Sequence, residues 1–469
     1  MKDLRKNISH MFVLLALLFV IMGGYLVYVA AFESEEFISN PFNARVNIDD
    51  DGIKRGTIYD RHGVVIAESV FQAQAQGGIY MRSYPLGPLF AHTAGYSGMS
   101  RAGLELSRNF TMYRLNWELI QRARNAIFGD GLAANSIVTT FDAELQRMIF
   151  DALGGSRGAA VVLNPTSGAV LAMVSTPSFD PNYVTENWSA LINDSANSPL
   201  LNRASQGLYP PGSTFKIVTA IAALSYDPNL LDFVFECTGQ HVFGSEIIRC
   251  FNGVAHGSID MHAAMAVSCN GYFAVIAEMI GAEPLIQAAN QVMLNIAIPF
   301  ELAASSSQFP MGSEPSIAEL IQTSIGQGRI TATPLNMAVI AAAIANGGIV
   351  MEPYMVERVV GAYGGTVSSA TPRSIGRIMD AETAALLDEM LIEAVNTGTG
   401  IPAGLRDFQT AGKTGTAQNE TGIDHSWFIG YAPAENPQVA LAVIIENTGG
   451  GQRASQLAGQ IFGFAVRDE

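Results

Sequence analysis

From Met11 to Phe32 the chain runs 22 residues without a charged side chain, and that run constrains everything after it. An apolar helix of that length crosses a hydrocarbon layer of ~30 Å. Lys2, Arg5 and Lys6 precede it and Glu33, Glu35 and Glu36 follow it. The basic flank stays in the cytoplasm, so the bulk of the chain is expected on the far side of the membrane. A cleaved leader would have an apolar core of only ~7–15 residues, which favours a single-pass anchor, although Ala30-Ala31 could serve as a cleavage site. Either way the remainder is exported.

The 469 residues exceed one average domain, and two or three folded units are expected. A net charge of -16 leaves no basic stripe to pair with phosphates, which argues against nucleic acid as a partner. Three cysteines, Cys237, Cys250 and Cys269, are too few for a disulfide framework and lack a metal-ligand pattern. Cys237 and Cys250 are either paired or two isolated buried thiols.

Residues 1–10 read as a cytoplasmic tail, 11–32 as the anchor, 33–133 as a small non-catalytic module and 134–469 as the catalytic domain. Within the module, Ile58 and Val64–Ile66 flank Gly63 as a β-hairpin, and Phe128-Gly129-Asp130-Gly131 marks its end. Leu145, Ile149 and Leu153 recur at helical spacing after Asp142, whose carboxylate suits a cap. Gly158–Leu163 and Val170–Ser175 are apolar strands joined by an Asn-Pro-Thr-Ser-Gly turn. Further strands fall at 428–432 and 439–446, with helical patterns at 316–323 and 334–345 between. Strands at both ends and helices in the middle make an α+β domain whose sheet gathers distant segments.

Three short motifs carry chemistry. In Pro210-Pro211-Gly212-Ser213-Thr214-Phe215-Lys216, a serine opens a helix with a lysine three residues on, on the same face. A serine is a weak nucleophile until a base lies within hydrogen-bond reach, and a lysine serves once burial and a second cation leave it neutral. Ser268-Cys269-Asn270 offers a hydroxyl to relay a proton and an amide to hold a substrate carbonyl. Lys413-Thr414-Gly415-Thr416 suits an edge strand: Lys413 is the second cation, Gly415 lets a substrate backbone approach, and the two threonine hydroxyls can bind a carboxylate. The amides of Ser213 and Thr416 then converge as an oxyanion hole. Each motif alone is weak, since caps and turns use the same residues. In this order and spacing the three point to one class of serine enzymes.

With these motifs the chain resembles the class B penicillin-binding proteins of elongation type, over nearly its whole length. Arg55-Gly56-Thr57-Ile58, Asp60-Arg61-His62-Gly63, Asn40–Arg45, Arg101-Ala102-Gly103-Leu104-Glu105, Ser324–Gly328, Thr333-Pro334, Ala345–Gly348 and Trp427–Pro433 are similar to segments of that family. His62 stands where asparagine is common in the family. The resemblance implies a serine β-lactamase/transpeptidase-like domain, with an antiparallel sheet, flanking helices and an all-helical part, on a pedestal module. It implies Ser213 as the acylated nucleophile, Lys216 as base and Ser268 as relay. Asn270 would orient the donor peptide, and Lys413 and Thr416 would shape the site and hold the carboxylate. Peptidoglycan stem peptides ending in D-Ala-D-Ala would be the substrate and β-lactams the inhibitors, with no metal or organic cofactor. A separate glycan polymerase of the shape, elongation, division and sporulation (SEDS) type would be the membrane partner. A carboxypeptidase or β-lactamase shares the motifs without the anchor and module. A non-enzymatic sensor would need a cytoplasmic signalling domain, and only ten residues precede the span.

Overall fold

The computed structural model describes residues 2–28, 54–74, 77–98, 100–112, 134–362 and 364–466. One helix, Lys2–Tyr28, begins the chain; its apolar part, Lys6–Tyr28, has a mean hydropathy of 2.4 and is exposed along its length. The expected tail is therefore helical from Lys2 and continuous with the span, because nothing between residues 2 and 10 breaks a helix. Residues 29–32, Asn40–Arg45 and Phe128–Gly131 lie outside the described residues.

The catalytic part is organised by a five-stranded antiparallel sheet in the order 411–417, 425–432, 439–445, 158–163, 170–176. Side chains alternate across it with period two, so one run of apolar residues feeds two cores. Val161, Ala440, Ala442 and Ile444 face one core, shared with helix Pro334–Ala345. Val162, Leu441, Val443 and Phe428 face the other, shared with helices Ala143–Leu153 and Gln452–Ala465. Both faces are covered, which is why the central strands are apolar throughout. Asp142 caps its helix as expected, its Oδ1 accepting from the amides of Glu144 at 2.9 Å and Leu145 at 3.0 Å. Strand Ala411–Ala417, carrying the lysine-threonine-glycine motif, is the free edge.

A second, six-stranded sheet runs 366–369, 356–360, 136–139, 58–59, 65–74, 77–83. The Ile58 hairpin turns where Asp60 Oδ1 accepts from the amides of His62 and Val64, with Gly63 at φ 86°. Two strands from deep in the catalytic sequence, Val356–Val360 and Thr366–Ser369, complete this N-terminal sheet. Beside it, buried Glu105 receives Arg55 Nη2 at 2.7 Å and Arg82 Nε at 2.6 Å. The Arg55–Ile58 and Arg101–Glu105 segments thus meet in one ion cluster.

Candidate active site

The segment before Ser213 is pinned on three sides. Tyr209 exchanges backbone hydrogen bonds with Ala332, Trp427 Nε1 donates to Pro210 O at 3.0 Å, and the Gly212 amide donates to Gly326 O at 2.9 Å. Gly212–Phe215 forms a 3-10 turn leading into helix Lys216–Tyr226. Ser213 therefore sits on the turn and Lys216 is the first α-helical residue, fully buried. Two glycines make this packing possible. A Cβ on Gly212 would lie 2.4 Å from Thr416 O, and one on Gly326 2.0 Å from Gly212 O, both at positive φ. Tyr209 is tied further to Glu446, which also pairs with Arg203 at 2.9 Å and Arg157 at 2.7 Å.

Lys216 Nζ faces three acceptors: Ser268 O at 2.6 Å, Ser268 Oγ at 3.0 Å and Asn270 Oδ1 at 2.7 Å. A neutral amine satisfies this set by donating to the carbonyl and the amide oxygen while its lone pair accepts from the Ser268 hydroxyl. Burial pushes Lys216 down to about 7, against the opposing influence of the Cys269 and Cys250 thiols. Ser268 itself holds φ 59°, a left-handed conformation unusual for serine, so its environment fixes it there. Asn270 Nδ2 is anchored on Arg249 O at 2.8 Å.

Lys413, also fully buried, donates to Thr414 O at 3.2 Å. The electrostatic effect expected on Lys216 from the second lysine is not what lowers it. Burial does that, and Lys413 is the lysine held well below its usual range by burial and then by the charge of Lys216. Gly415 closes against the nucleophile turn, where a Cβ would meet Pro211 O and Thr214 Cγ2 at 2.9 Å. Thr414 Oγ1 shares a hydrogen bond with Thr399 Oγ1 at 2.6 Å, whereas the Ser213 and Thr416 hydroxyls have no partner among the described residues. Gln327 Nε2 reaches Thr416 O at 3.4 Å, a contact with no sequence signal.

The structure thus brings Ser213, Lys216, Ser268, Asn270 and Lys413–Thr416 to one place. It also assembles a cluster that the sequence reading missed. Cys237, Cys250 and Cys269 are free, buried and in mutual contact, with His256 beside them. They are neither a disulfide nor isolated thiols, and His256 Nδ1 lies 3.3 Å from Cys237 Sγ. Cys250 is held well below the usual thiol range, accepting from Cys269 and facing the amides of Gly271 and Asn270. The spacing Cys-x12-Cys-x5-His-x12-Cys has no short ligand pair to announce it.

The fold and site define the class of proteins in which a helix-borne serine–lysine pair lies under a sheet edge. Residues 158–464 match the penicillin-binding protein transpeptidase domain, and residues 55–137 the penicillin-binding protein A dimerisation domain. The chain belongs to the penicillin-binding protein transpeptidase family. It is 32% identical to the peptidoglycan D,D-transpeptidase PbpA of Mycolicibacterium smegmatis, over 98% of this chain and 96% of that protein. It is 32% identical to the peptidoglycan D,D-transpeptidase MrdA of Acinetobacter baumannii, over 82% of this chain and 66% of that protein. Among solved structures, the ceftriaxone acyl-enzyme of penicillin-binding protein A from M. tuberculosis superimposes with a TM-score of 0.81 at 29% identity, covering 88% of this chain and 98% of that one.

Proposed function

We propose that the chain is a peptidoglycan D,D-transpeptidase that cross-links stem peptides through an acyl-enzyme on Ser213. The observation carrying this reading is the fully buried Lys216, one turn after Ser213, hydrogen-bonded to Ser268 and Asn270 and lowered in basicity by its burial. Ser213 Oγ attacks the carbonyl of the penultimate D-alanine, and its proton passes to the Lys216 amine. The Ser213 and Thr416 amides hold the oxyanion. As the C–N bond breaks, Ser268 relays that proton to the departing D-alanine nitrogen. Asn270 orients the donor peptide, Lys413 shapes the site beneath the strand edge, and Thr416 holds the carboxylate, its hydroxyl being the uncommitted one of the threonine pair. An acceptor amine then attacks the ester, returns a proton through Lys216, and frees the Ser213 hydroxyl. A β-lactam enters the same path, but its leaving group stays tethered and the ester persists.

In this reading residues 33–133 are a pedestal, and the N-terminal helix holds the catalytic part on the outer face of a bacterial membrane. Incubation of the full chain with a D-Ala-D-Ala pentapeptide and an amine acceptor is expected to release D-alanine and form the cross-linked product. Hydrolysis of penicillin at many turnovers per second would instead place the chain among the β-lactamases. The exposed apolar helix fits contact with a multi-span glycan polymerase of the SEDS type. Cross-linking in native membranes is expected to recover that polymerase, and recovering none would reject the partner.

A further inference from the structure

Outside the serine–lysine site, one group of donor atoms among the described residues converges on a point. The Sγ–Sγ distances are 3.7 Å for Cys237–Cys250, 3.6 Å for Cys250–Cys269 and 3.5 Å for Cys269–Cys237. His256 Nδ1 lies 3.3 Å from Cys237 Sγ, and all four donors fall within 4.8 Å of one another. A disulfide would need ~2.0 Å between two of these sulfurs, and no pair approaches that. A tetrahedral zinc site does fit. With Zn–S ~2.3 Å and Zn–N ~2.0 Å, sulfur ligands stand ~3.8 Å apart and sulfur and nitrogen ~3.6 Å. The three sulfur–sulfur edges and the Cys237–His256 edge run slightly shorter than this, and the other two edges stay within 4.8 Å, so a small shift of the imidazole completes the set.

We propose that Cys237, Cys250, His256 and Cys269 bind one zinc-class divalent cation and that this metal sets the position of the Ser-x-Asn motif. Three soft thiolates and one imidazole form a closed four-ligand set, which selects zinc over hard cations such as magnesium or calcium and leaves no open coordination position. Binding releases the thiol protons to solvent, while His256, half-buried at the rim, offers a way in.

The ligands come from four separate places. Cys237 ends strand Phe235–Cys237, Cys250 follows strand Glu246–Arg249, His256 precedes strand Gly257–Ile259, and Cys269 caps helix Asn270–Ile280. One ion would tie the hairpin and the strand pair to the helix that presents Asn270. Cys269 stands between Ser268 and Asn270, whose oxygens receive Lys216 Nζ. Ser268 is held in its left-handed conformation one residue from a ligand. A cluster that loses its centre frees the Cys269 side chain, and with it both neighbours.

The metal assignment stands independently of the catalytic reading; the consequence for acylation rests on it. The full chain, purified in detergent under reducing conditions without chelator, is expected to carry about one zinc per chain by elemental mass spectrometry. After chelation, added Co2+ is expected to give the strong sulfur-to-cobalt charge-transfer absorption of a thiolate site. Cys250→Ser and His256→Ala each remove one of four direct ligands and should each lower the retained zinc well below one per chain. Fluorescent-penicillin acylation should fall at least tenfold in the stripped chain and return with Zn2+. Ser213→Ala should keep the zinc and lose the label. Three thiols freely alkylated in a metal-free native chain, or a disulfide among them in a non-reducing peptide map, would overturn the site. Zinc retained by a wild-type chain that never labels would keep the metal and reject the transpeptidase reading.

Discussion

Ser213→Ala is expected to abolish covalent labelling by a fluorescent penicillin, and Lys216→Ala to slow it by about 10²–10⁴-fold while the hydroxyl remains. The first change deletes the atom that becomes the ester. The second removes the base that lies one turn away from Ser213, leaving water to take the proton. Lys216→Ala also strips Ser268 and Asn270 of a shared donor, so the loss includes a contribution from a disordered relay. Full-rate labelling of either variant would reject the site.

The rate should also follow pH in a direction set by burial. Lys216 takes the Ser213 proton only as the neutral amine, and burial brings it to about 7. Acylation is therefore expected to rise about tenfold per pH unit below 7 and to level off above it. A lysine with ordinary basicity would give a profile still climbing toward pH 10, because its neutral fraction keeps growing there. That outcome would mean the helix start is wetter than the structure shows.

The sequence makes most of this site visible because its pieces are local. Ser213 and Lys216 share one helical turn, Ser268 and Asn270 one loop, and Lys413 to Thr416 one strand. The sheet is legible for a similar reason: the apolar runs at 158–163 and 439–445 are too continuous to face water on either side. What escapes is whatever depends on distant chain meeting distant chain. Strands 356–360 and 366–369 carry no mark assigning them to the N-terminal sheet, since their pairing with Ser136–Thr139 is a register formed across more than two hundred residues. The cysteine–histidine cluster escapes in the same way, its ligands lying on separate elements that only the fold draws together. The sequence offers two causes for a low basicity of Lys216, burial and a second cation, without ranking them. The depth of burial decides it, and a sequence does not show depth.

The second large effect belongs to the N-terminal sheet. Glu105→Gln is expected to cost about 3–5 kcal/mol of stability, read from denaturant unfolding of the full chain in detergent. The carboxylate is fully buried and is the counter-ion of two guanidiniums, Arg55 at 2% and Arg82 at 6% side-chain exposure. An amide keeps the shape but removes the negative charge that both guanidiniums share, in a place where neither side chain is more than 6% exposed. Burial alone would raise the Glu105 carboxyl, but the charges of Arg82 and then Arg55 outweigh it and hold it below its ordinary value. A lowered carboxylate contributes stability above its unfolded pKa and loses that contribution as pH falls through the folded value. The gap between wild type and Glu105→Gln should therefore be full at neutral pH and narrow below about pH 4. A difference under about 1 kcal/mol at pH 7 would show that the cluster is solvated like a surface ion pair. In that case the meeting of the Arg55 and Glu105 segments would not be what holds this sheet together.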